Sequence, residues 1–173
     1  MSTLSIKELS HPSGEVIKIA AGKTLDLKSQ GTTTLPTGSV LQVVNASTLT
    51  EVSTTGSSYI DTGLTATITP TSATSTILVL VSQVGVGKAA GNGGVYLKLI
   101  RGATHLAHLG NNMVYTGTAD ALRTGGVSAN YLDSPATTSA TTYKTQFRAF
   151  NSVTAYVQQT NAVSTITLME IQG

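Results

Sequence analysis

Three histidines, eight carboxylates and a large stock of Ser and Thr hydroxyls are the raw material for chemistry in this chain. His105 and His108 form the best pair of metal ligands. On a strand, a separation of three turns their side chains to opposite faces, so one chain cannot readily use both, and they read as ordinary sheet or surface histidines. His11, beside Pro12, is a loop residue. A Ser–His–acid constellation would arise by chance among so many hydroxyls, and no Gly-x-Ser-x-Gly elbow singles out one serine. Paired carboxylates for glycoside hydrolysis would have to come from Asp61, Asp120, Asp133, Glu51 or Glu170. Glu170 alternates with Leu168 and Ile166, which turns it inward and predicts a buried ion pair with Arg148 or Lys144. Gly85-Val-Gly87-Lys88 fails as a phosphate loop, because Ala89 follows the lysine where Ser or Thr must reach magnesium. It also fails as a dinucleotide loop, with Ala90 in the third glycine position, and reads as a hairpin loop. No catalytic residue, cofactor or metal site is expected.

The elements that would carry any site are strands. The chain has 173 residues, one domain of ordinary size or a domain with a short arm. Thr, Val and Ile together make up 54 of them, and all three favour pleated, half-buried surfaces because χ1 is already restricted. Charge is sparse and nearly balanced, Lys+Arg 10 against Asp+Glu 8, without the clustered basic face of a nucleic-acid binder. Cysteine is absent, which removes disulfides and thiolate metal sites. The start, Met1 to Lys7, lacks the basic flank and apolar run of a secretory signal, and the longest apolar run, Ile77 to Val81, is far too short to span a membrane.

Residues 1–38 are read as an extended arm and residues 39–173 as the body. In the arm, glycines at 14, 22, 31 and 38 separate short alternating segments, and 7 of the 18 charges lie there. Ile17, Ile19, Leu25, Leu27 and Leu35 form a one-sided apolar face that so short a strand cannot bury alone, so it is expected to meet other subunits. The body is a succession of nine or ten strands without a 3.6-residue period, which predicts an all-β, two-sheet antiparallel sandwich or jelly roll. Thr76 to Val84 is apolar on both faces and reads as a central strand buried on both sides. Gly85–Gly94 and residues 110–126 read as loops.

Several phrases resemble a group of tailed-bacteriophage virion proteins. They are Gly38-Ser-Val-Leu-Gln-Val-Val44, Tyr59-Ile-Asp-Thr-Gly-Leu64, Ile68-Thr-Pro-Thr-Ser72, Leu99-Ile-Arg-Gly-Ala-Thr104, Leu132-Asp-Ser-Pro135 and Ser164-Thr-Ile-Thr-Leu-Met-Glu-Ile171. Ala21-Gly-Lys-Thr-Leu-Asp-Leu27 is similar to the arms that precede such domains. The resemblance implies a non-enzymatic homotrimer on the virion exterior, assembled in the bacterial cytoplasm. Its partners would be its own copies and the major capsid protein, with no nucleic acid and no membrane. Only about 38 residues precede the body, a reach on the order of 130 Å at most. That suits a capsid decoration (cement) protein whose arms clamp neighbouring capsid subunits. The alternative is a tail-fibre or receptor-binding head that recognises host glycans through loops carrying Asn111, Asn112, Tyr115 and Asp120.

Overall fold

The computed structural model describes residues 21–22, 35–117 and 123–173. The chain divides into two compact units, Met1–Leu35 and Pro36–Gly173. Among the described residues, the second unit holds ten strands: β1 (Val40–Thr48), β2 (Val52–Thr54), β3 (Ile60–Ile68), β4 (Thr76–Lys88), β5 (Gly94–Arg101), β6 (Thr104–Met113), β7 (Arg123–Asp133), β8 (Thr141–Phe150), β9 (Ala155–Val157) and β10 (Ser164–Ile171). One 3-10 turn, Gln159–Asn161, joins β9 to β10.

All pairings are antiparallel. The first sheet runs β1-β10-β4, with β7 on the other side of β4. β10 pairs with β4 only as far as Ser82; above it β9 takes over the same edge at Gly87 and Lys88, and β2 pairs with β9. The second sheet has the order β3-β8-β5-β6. The eight long strands thus form two layers of four, and every step between successive long strands except the β5–β6 hairpin crosses from one layer to the other, the strand order of a jelly roll. Alternation supplies the core directly. Tyr143, Thr145, Phe147 and Ala149 of β8 are buried while Lys144, Gln146 and Arg148 face outward, and Leu64, Ala66 and Ile68 of β3 meet Ile77, Val79 and Val81 of β4.

Three sequence expectations are corrected. Thr76 to Val84 of β4 is buried on one face only: Leu78 and Val84 are partly covered and Leu80 is 36% exposed, because the second sheet lies on one side alone. Gly85 to Lys88 is strand, not loop. A register shift between Gln83 and Val86, with Gly85 at φ 61°, bends β4 and lets it continue along β7 and β9. Finally, β6 extends to Met113 and β7 begins at Arg123, so the 110–126 excursion is much shorter than its Gly and Asn content suggests.

Candidate functional site

Of the residues expected to contact other subunits, Ile17, Ile19, Leu25 and Leu27 lie outside the described residues, and Leu35 is exposed. Asp120 also lies outside them. Asn111 and Asn112 sit on β6 and not in a loop. Asn111 is exposed, whereas the Asn112 side chain packs against Gly94, where any Cβ would collide with it. Tyr115 follows β6, is 46% exposed, and donates its hydroxyl to Asn92 Oδ1 at 2.9 Å.

The two histidines are not on opposite faces. A register shift in the β5–β6 pairing sets His105 against Ile100 and His108 against Lys98, and brings the two exposed rings to 4.5 Å between centroids. An irregular strand breaks the simple alternation that the spacing implied. Among the described residues no group of three His, Asp or Glu converges on a metal position.

The carboxylates are also placed differently from expectation. Glu170 is fully buried, but Arg148 and Lys144 are elsewhere. Gln42 Nε2 donates to it at 2.6 Å, and the Thr71 backbone N–H and hydroxyl donate at 2.7 Å each. Burial alone would raise its pKa; the hydrogen bonds from Gln42 and Thr71 and the nearby Ser75 hydroxyl outweigh burial and hold it below the usual carboxylate range. Asp133 pairs with Arg101 at 2.6 Å and accepts the Tyr143 hydroxyl at 2.7 Å. Burial pushes the Tyr143 phenol well above its ordinary range, and the neighbouring Asp133 adds to the shift. Asp61 is bound by Lys144 at 2.6 Å and Gln146 at 2.7 Å.

The outer face of the second sheet gathers the chain's exposed chemistry. Arg148 of β8 stacks on Tyr96 of β5, its guanidinium carbon 3.9 Å from the ring centroid, and lies 5.4 Å from that of Tyr59. Lys98 Nζ rides over the same Tyr59 ring at 4.1 Å. Phe150 meets Tyr96 and Tyr115 edge-to-face at 5.9 and 6.1 Å. One step along the strands, Asp61, Gln146, Lys98 and His108 form a row across all four strands. Beside Asp61, the irregular pairing of β3 and the bare positions Gly63 and Gly102 leave a depression of about 330 Å³, bordered by Thr65, Thr142 and Lys144.

The outer face of the first sheet has the opposite character. Val43, Met169, Leu78 and Leu132 stand in one row across β1, β10, β4 and β7. Val43 is 53% exposed and Leu132 61%. The next rows are Asn45, Thr167, Leu80, Asn130 and then Ser47, Thr165, Ser82, Ser128, with no charge in any of the three.

A buried polar belt escaped the sequence reading. Thr62, Gln83, Thr145, Gln158 and Ser164 are all fully buried. Thr145 donates to Gln83 Oε1 at 2.8 Å, so in its 2.6 Å hydrogen bond with Thr62 the donor is Thr62. Gln83 Nε2 donates to Ser164 Oγ at 3.0 Å, and the Gln158 amide, oriented to satisfy its neighbours, donates to the Val157 and Thr62 carbonyls at 3.2 Å. On β3, β4, β8 and β10 the belt residue stands at the inner end of an apolar run, or between two, where one apolar cluster gives way to the next. The signal was present: Gln83 follows Ile77, Val79 and Val81 in the inward phase, and Thr145 stands between Tyr143 and Phe147. The belt is buried and its members satisfy one another, linking strands of both sheets through the core.

No family model matches the chain, and no curated protein matches its sequence. Among solved structures, the infectious bursal disease virus VP2 subviral particle aligns over 87% of this chain and 37% of its own, at 12% identity and a TM-score of 0.48. The Gx strain of that virus aligns over 89% and 37%, at 16% identity and a TM-score of 0.40. This chain thus spans little more than a third of the length of those chains.

Proposed function

We propose that this chain is a non-enzymatic structural protein of a bacteriophage virion, a trimeric decoration (cement) protein that binds the assembled shell. The observation that carries the reading is the outer face of the first sheet. Its apolar row is open to solvent, its neighbours are uncharged Asn, Thr and Ser, and such a contiguous face is characteristic of a surface that a partner covers. Copies of the body meet through this face, and the arm residues Ile17, Ile19, Leu25, Leu27 and Leu35 clamp neighbouring capsid subunits. A ligand of the assembled shell alone stabilises it by mass action.

The deciding experiment is the copy number of this chain per particle, counted by peptide mass spectrometry against the major capsid protein. A ratio near one copy per capsid subunit is expected; a few tens per particle would overturn the cement role. Removing residues 1–38 should leave a folded body that no longer decorates shells. A second reading, a tail-fibre head that recognises host glycans, is favoured by the aromatic and cationic face of the second sheet.

A further inference from the structure

We propose that the outer face of the second sheet is a binding site for acidic saccharides, with Arg148 and Lys98 taking the carboxylate or sulfate and Tyr59, Tyr96, Phe150 and Tyr115 packing against the sugar rings. It deepens the glycan reading and moves its site from the loops at Asn111, Asn112 and Asp120 to the sheet face, keeping Tyr115, and the binding itself is independent of which virion part the chain forms. Three observations carry it. First, Tyr59, Tyr96, Tyr115 and Phe150 are four of the chain's eight aromatic residues, and all lie partly or largely exposed along one strip of one sheet face. Nothing in the packing of a jelly roll demands this, because the core lies on the other side. Amphipathic rings in such a strip offer apolar area to sugar C–H faces at little entropic cost.

Second, the charge is complementary to an anion. Among the described residues the face carries Lys98, Lys144 and Arg148 against one carboxylate, Asp61, which is already bound by Lys144 and Gln146. Among the described residues neither Lys98 nor Arg148 is paired with a carboxylate. Arg148 instead donates Nη1 to the backbone carbonyl of Ala149 and lies between two tyrosine rings, which hold the guanidinium in place with donors to spare. Third, the strip runs into the depression of about 330 Å³ at Gly63 and Gly102, at the small end of the range for ligand pockets. Asp61, Lys144 and Thr142 border it and provide the acceptors and donors that sugar hydroxyls require.

The test measures binding of an alginate-derived hexuronate trisaccharide to the full chain by calorimetry, with maltotriose and a short oligothymidylate as controls. The hexuronate should bind, weaken as salt rises, and bind about tenfold or more weakly to Arg148→Gln and to Lys98→Gln, with melting temperatures close to the parent's. Tyr115→Ala, at the rim, should weaken it less. Failure of the hexuronate to bind at millimolar concentration would overturn the proposal. So would equal binding of maltotriose, tighter binding of oligothymidylate, or full affinity in either charge variant. None of these results bears on copy number, so the saccharide site and the shell role fail or stand separately.

Discussion

Glu170 carries its negative charge into a pocket where its partners among the described residues are the Gln42 amide and the Thr71 backbone N–H and hydroxyl, with no cation among them. Its folded pKa lies below the unfolded value, so the stability it contributes is present at neutral pH and is lost as pH falls through the folded value. Glu170→Gln should cost about 2 kcal/mol at pH 7, since charge-assisted hydrogen bonds become ordinary ones and one acceptor becomes a donor facing donors. It should also flatten the acid limb of a stability–pH curve measured by urea denaturation; an unchanged limb would assign the acid sensitivity elsewhere. Sequence parity revealed that Glu170 points inward. It could not reveal the partners, because Gln42 and Thr71 lie 128 and 99 residues away and are brought close only by the sheet order. The aromatic strip was hidden for the same reason. Tyr59, Tyr96, Tyr115 and Phe150 come from four separate segments, and only Tyr115 was singled out.

At the level of the strand, regular alternation was legible and irregularity was not. β8 and β10 follow their period-2 patterns from end to end, and their inner and outer faces are those the sequence predicts. The failures fall on strands with register shifts, β4 at Gly85 and β6 between its histidines, where one residue out of phase reverses every face beyond it. Gly85 has φ 61° and the Gln158–Gln159 backbone packed directly where a Cβ would stand. Gly85→Ala should therefore destabilise the body by at least about 2 kcal/mol, combining backbone strain and overpacking. Gly102, in the β5–β6 turn at φ 55°, has open space around it. Gly102→Ala should cost only about 1 kcal/mol of strain. Urea melts of the two variants separate the contributions, and equal losses would show that the Gln158 contact adds nothing.

At the scale of the molecule, composition announced an all-β sandwich, and a jelly roll was one of the two forms expected. The strand order was out of reach, since no local pattern records that β1 lies beside β10 or β3 beside β8. The association surface proposed above belongs to this scale too. Leu132→Lys places a charge at a 61%-exposed position of the apolar row, so it should change body stability by no more than about 0.5 kcal/mol yet shift light-scattering mass from the proposed trimer toward monomer. A variant that stays fully trimeric would remove this face from the interface. The pairing of β1 with β10 has one more consequence. The Gly38 and Gln172 N–H groups donate across to the Gln172 and Ser39 carbonyls, so the earliest segment of the body is sealed by the latest. During folding β1 and β4 therefore each keep an open edge until β10 docks between them, so the sheet that carries the apolar row is closed by a strand remote in sequence from the one it seals.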